Sequence, residues 1–98
     1  MQQIVQFIVP EAKRKTPFLV GLEDGFLDHA GGFTVIPCQG YWRDGFGRTL
    51  IEANVLYRVA FSEGLPSDDW RAILTKLRKE LDEEALYVEI DGQAEVLR

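Results

Sequence analysis

In 98 residues the chain holds one cysteine and one histidine. A lone cysteine excludes an internal disulfide, and one cysteine with one histidine cannot build a zinc site within a single subunit. No apolar run approaches the ~20 residues that a membrane-spanning helix needs. A secretory signal is not legible, because Met1-Gln2-Gln3 lacks a basic region and the apolar stretch from Ile4 to Val9 is too short. The phosphate-binding loop, the dinucleotide fingerprint, the nucleophile elbow and the metalloprotease helix motif are all missing. So is any basic excess. A net charge of −5, from 11 Lys+Arg against 16 Asp+Glu, weighs against non-specific nucleic-acid binding.

The apolar fraction, by contrast, is 46%, within the range of packed domains. The length suits one core that buries ~65% of the unfolded surface. These features predict one cytoplasmic domain over residues 1–98, with no membrane association and no cofactor. The acidic excess is local: residues 1–61 carry six basic and six acidic side chains, whereas residues 62–98 carry five and ten. Glu80, Asp82, Glu83 and Glu84 crowd the end of the second predicted helix. Such a run reads as a solvated face. The sharper reading is an acidic surface that meets a basic partner.

Gln3 to Val9 alternates, with Val5, Phe7 and Val9 on one side and Ile4, Gln6 and Ile8 on the other. That period predicts a strand, ended by Pro10. After a charged loop, Thr16-Pro17 has the form of an N-cap and first helical position. Leu19, Leu22, Phe26 and Ala30 recur at helical spacing, and Gly31-Gly32 stops the helix near His29. Gly21 and Gly25 lie inside it, each costing about 1 kcal/mol relative to Ala. They permit a close approach to the sheet or a partner, or they mark a weaker helix.

Phe33 to Arg43 is a second extended run, whose Pro37 and Gly40 suggest an edge position or a bulge. Asp44-Gly45-Phe46-Gly47 is a turn, and Arg48 to Phe61 alternates throughout, so a long hairpin follows. Ser67 is the expected N-cap of a second helix with Asp68 and Asp69 in its first turn. Trp70, Ile73, Leu74, Leu77 and Leu81 form its apolar stripe. Leu86 to Ile90 reads as a fourth strand, and Asp91-Gly92 signals a type I′ turn into a short fifth strand, Ala94 to Leu97. The order β-α-β-β-α-β with a terminal hairpin strand predicts an α+β, ferredoxin-like sandwich with an antiparallel sheet.

In that sandwich both helices cover one face. The other face collects Ile4, Gln6, Ile8, Leu50, Glu52, Asn54, Leu56, Arg58, Tyr87 and Glu89. Solvated faces alternate more cleanly than this. The mixture suggests that sheets of two or three copies pack there around a partly polar cavity, although scattered exposed aliphatics are common.

The candidate ligand-binding residues are Tyr41, Trp42, Arg43, Arg48, Glu52, Asn54 and Arg58. Tyr41, Trp42, Arg43 and Phe46 bracket the turn and Arg48 follows it. Aromatics beside arginines form a stacking platform for a planar or anionic ligand, or else fill an interface or cap a core. Glu52 stands mid-strand, where acidic residues are depleted. It is either a general base or ligand carboxylate, or a structural partner of Arg58, Arg48 or Arg43. Cys38 and His29 read as an inert buried thiol and a surface imidazole. Lys13-Arg14-Lys15, before the first helix, is either a solvated loop or an anion site at a helix N-terminus.

Gly31-Gly32-Phe33-Thr34, Gly40-Tyr41-Trp42, Gly47 and Glu52 together resemble a family of small uncharacterised bacterial proteins with a ferredoxin-like fold and a GG-x-T…G-x-W…E signature. The resemblance covers about a quarter of the chain. It implies the fold and assigns no catalytic residue. More broadly, the layout is similar to two groups of ferredoxin-like oligomers. One is the dimeric α/β-barrel group that includes small monooxygenases; the other is the trimeric signalling group related to the nitrogen-regulatory and copper-tolerance proteins. The chain lacks the long effector loop of the nitrogen regulators and the paired His or acidic residues of a metal-dependent enzyme. The leading functional expectation is a small homo-oligomeric binding or regulatory module for a small anionic or planar ligand. The alternatives are a barrel-type enzyme acting on a small hydrophobic substrate and a partner-binding protein that uses the acidic second helix.

Overall fold

Period-two alternation sets the first strand, β1 (Gln3–Pro10), in which Val5, Phe7 and Val9 are buried while Ile4, Gln6 and Ile8 are half-exposed. The computed structural model describes residues 2–98. A 3-10 turn over Glu11–Lys13 leads into α1 (Pro17–Ala30). The hairpin strands β2 (Thr34–Arg43) and β3 (Thr49–Phe61) follow, then α2 (Ser67–Glu80), β4 (Leu86–Ile90) and β5 (Gln93–Leu97). The strand order is β2-β3-β1-β4-β5, and every neighbouring pair is antiparallel. This is the ferredoxin-like βαββαβ sandwich, extended at one edge by β5.

The odd-numbered residues of β1 and β3 and the even-numbered ones of β4 turn toward the helices. Val5, Phe7, Val9, Val55, Tyr57, Val59, Leu86 and Val88 form one core with Leu19, Phe26, Trp70, Leu74 and Leu77. Aromatic rings run through it: Phe7 stacks on Tyr57 at 5.0 Å, and Phe26 touches Phe7, Phe33, Phe61 and Trp70. Truncating a buried leucine here, such as Leu77→Ala, should cost about 2–5 kcal/mol.

Several local expectations hold and others change. Gly31, at φ 82°, closes α1 in the left-handed conformation, and Asp91 and Gly92 both have positive φ, as a type I′ turn requires. β2 is an edge strand, which tolerates Pro37, but its register with β3 runs unbroken from Thr34 to Arg43, so there is no bulge. Ser67 is the first helical residue of α2 rather than its cap. Pro66 takes the cap position, and its carbonyl accepts the N–H groups of Asp69 and Trp70. Thr16 does cap α1 by position, yet its hydroxyl donates backward to the Lys13 carbonyl at 2.8 Å.

β1 covers β3 only over Asn54–Phe61. Thr49–Ala53 and Gln39–Arg43 therefore project beyond the third strand as a two-stranded arm. The arm lengthens the molecule to 45 × 25 × 21 Å. A free two-stranded ribbon is marginal in water, so its order rests on its own turn and on whatever it meets.

Candidate functional site

Asp44 builds the tip of the arm. One carboxylate oxygen accepts the N–H groups of Phe46 and Arg48, both at 2.9 Å, and the other accepts the Arg48 Nε at 2.7 Å. The Arg48 N–H is the main influence holding the Asp44 carboxyl below its ordinary range, supported by the Phe46 N–H and the Arg48 side chain. The Arg48 guanidinium also lies 5.3 Å from the Phe46 ring centre. Arg43 donates to the Gly47 carbonyl at 2.8 Å. Both arginines thus spend donors on the turn itself.

Strand alternation then sorts the predicted site residues. Trp42 pairs with Leu50, Gly40 with Glu52, Cys38 with Asn54 and Thr34 with Arg58, all on the face without helices. Tyr41 and Arg43 fall on the opposite face, where the Tyr41 hydroxyl donates to Gln39 at 2.8 Å. Trp42, Glu52, Asn54 and Arg58 therefore share one face, Tyr41 and Arg43 leave it, and Arg48 stays in the turn. Arg58 lies six positions along β3 from Glu52, or about 20 Å.

Glu52 joins none of the ion pairs among the described residues. The expected salt bridge to Arg58, Arg48 or Arg43 does not form, because the first is too distant and the other two are engaged at the turn. Its partner is the Asn54 amide: with the amide O and N assigned so that both find partners, its nitrogen donates to the Glu52 carboxylate at 2.8 Å and to the Ala53 carbonyl at 3.3 Å. That amide lies over Gly40, where a Cβ would displace the end of the Asn54 side chain. Glu52 lines a shallow notch of about 630 Å³ with Pro10, Glu11 and Ala12 at the root of the arm. Arg58 lines another, of about 380 Å³, with Gly31, Gly32, Phe33 and Thr34.

Between these notches the open face is banded. Ile36 pairs with Leu56, Leu56 with Ile8, and Tyr87 with Val96; one further step of the β1–β4 register sets Tyr87 beside Ile8. An apolar row thus crosses all five strands. The adjacent row is polar: Thr34, Arg58, Gln6 and Glu89, with Gln6 donating to Glu89 at 3.4 Å. The arm continues the apolar exposure, with Phe46 85%, Tyr41 63%, Ile51 61% and Trp42 47% exposed. Ile36 and Val96 are missing from the open face as read from sequence, because Pro37 and Gly40 blur the alternation of β2 and β5 is short.

Two of the basic trio are engaged within the chain. Lys13 donates to the Leu81 and Asp82 carbonyls beyond α2 and pairs with Glu83 at 2.9 Å. Arg14 donates to the Tyr57 hydroxyl at 3.2 Å, and that hydroxyl in turn donates to Glu23. Burial, then the bond to Glu23, pushes the Tyr57 hydroxyl above its ordinary range, with Arg14 opposing. No sequence pattern announces this triad, since Tyr57 reads as one more alternating core residue. Cys38 is half-buried on the open face and His29 is exposed on α1, so the two do not meet. No group of three or more His, Cys, Asp or Glu side chains among the described residues is placed to hold a metal ion. No described helix is long and apolar enough to cross a membrane.

No protein-family model and no curated protein matches the chain. Solved structures do. A phage SAM lyase in complex with S-methyl-5'-thioadenosine superposes with a TM-score of 0.63 at 17% identity, covering 97% of this chain and 86% of that one. CutA from Synechococcus elongatus gives 0.57 at 12% identity, covering 98% and 74%. The divalent cation tolerance protein of Thermus thermophilus gives 0.53 at 13% identity, covering 98% and 80%. At these identities the likeness defines a class, the ferredoxin-like α+β fold, and no individual protein within it.

Proposed function

We propose that this chain is a homo-oligomeric binding or regulatory module whose copies meet through the open sheet face and the projecting arm. The apolar row Ile36–Leu56–Ile8–Tyr87–Val96, left uncovered by either helix, carries this reading. Sheet faces in water are ordinarily polar. The site lies where copies join. Within one chain Trp42 and Glu52 stand on the arm, with Arg58 about 20 Å from Glu52 along β3, so only a neighbour's Arg58 could share a pocket with Trp42. A small planar or anionic ligand fits those groups: Trp42 stacks on a ring, Arg58 meets an anionic or polar edge, and Glu52 with Asn54 accepts and donates hydrogen bonds.

The chain also belongs, on this reading, with the small bacterial proteins that share the GG-x-T…G-x-W…E signature. Gly31 serves as the left-handed helix end and Gly40 makes room for Asn54, so two signature glycines have physical work in this fold. The likeness to the phage lyase supports S-methyl-5'-thioadenosine as a first planar probe. Native mass spectrometry with and without that nucleoside tests the proposal. An oligomer that retains the probe, and loses it on Trp42→Ala or Glu52→Gln, is the expected result. A wild-type monomer would sink the assembly, and retention unaffected by both substitutions would sink the site.

A further inference from the structure

A further concavity lies on the helix side of the molecule. It is a cleft of about 350 Å³ between α1 and the β3–α2 connection, walled by Leu22, Phe26, Phe61, Leu65, Trp70 and Ile73. Its α1 wall contains Gly21 and Gly25, where no heavy atom outside the local helix backbone lies within 4 Å of the point where a side chain would begin. No close approach within the chain therefore accounts for two glycines in mid-helix; what they do is keep the cleft open.

The opposite wall is fixed in advance. The Gln3 side chain donates to the Leu65 carbonyl at 2.7 Å, accepts the Leu65 N–H at 3.0 Å and accepts the Trp70 indole N–H at 2.8 Å. With its N–H satisfied, the Trp70 ring is left to line the cleft. The volume and the aromatic walls are those of a small-molecule pocket. Glu63 lines it and joins no ion pair among the described residues, His29 is the only other titratable side chain in the lining, and no lysine or arginine lines it.

We propose that this cleft binds a small organic cation with an apolar body, such as an aryl-alkyl amine, with the apolar body over Gly21 and Gly25 against Leu65 and the ammonium at Glu63. This inference is independent of the oligomer reading. The full chain is titrated with phenethylamine, 2-phenylethanol and phenylacetate, following the Gly21 and Gly25 amides and the Trp70 indole N–H by NMR. Saturable shifts are expected, with the amine binding roughly tenfold tighter than the alcohol and phenylacetate weakest. Glu63→Gln, at an exposed position without ion pairs, should bring amine and alcohol to parity. Gly25→Leu should fill the cleft and abolish binding without lowering the melting temperature, since leucine is the better helix former. Non-saturating shifts with all three probes, or binding that survives Gly25→Leu, would overturn the proposal. So would a Gly25→Leu variant that instead changes assembly mass, for that assigns the glycine face to a second copy.

Discussion

Gly40 carries more of the candidate site than its position in a strand suggests. The Asn54 amide lies across it to reach Glu52, so Gly40→Ala should push that amide aside and cost about 1 kcal/mol of hydrogen bonding, read from urea unfolding. The sequence marks Gly40 as unusual, but a bulge and a close approach leave the same trace there. Only the strand register tells them apart. Tyr57 gives a pH prediction. Its hydroxyl titrates higher in the folded chain, by burial first and the bond to Glu23 next. It therefore adds stability that is whole below the ordinary tyrosine value of about 10 and is lost as pH rises through the folded value. Unfolding free energy should decline in strongly alkaline solution, and Tyr57→Phe should flatten part of that decline.

The elements were legible wherever burial imposes a period. β1, β3 and the Trp70–Leu81 stripe announce themselves, because one face of each meets the core. Caps were less legible, since a serine beside a proline offers two registers and the Pro66 carbonyl takes the cap role. Ser67→Ala should therefore change stability by less than about 0.5 kcal/mol, where a true cap would cost about 1 kcal/mol. Chemical denaturation separates the two. Gln3 was invisible in the sequence, yet it ties β1 to Leu65, Trp70 and Asp91. Gln3→Ala should destabilise by about 1–3 kcal/mol, because the buried end of the Trp70 indole loses its acceptor.

At the scale of the molecule, the sandwich follows from element order, but the spread of the site does not. Tyr41, Trp42, Arg43, Arg48, Glu52, Asn54 and Arg58 crowd one stretch of sequence, while strand geometry distributes them over two faces and the length of β3. Alternation separates Tyr41 from Trp42 although they are neighbours, and a thirteen-residue strand carries Arg58 away from Glu52. In the proposed assembly, a second copy of the chain would bring an Arg58 to Trp42. The most direct test is the solution mass of the wild type beside Ile36→Lys, which sets a charge in the apolar row at an exposed edge position where folding does not depend on it. The account predicts a wild-type dimer or trimer by native mass spectrometry and a folded monomer for Ile36→Lys. A monomeric wild type, or an oligomer indifferent to the new charge, would contradict it.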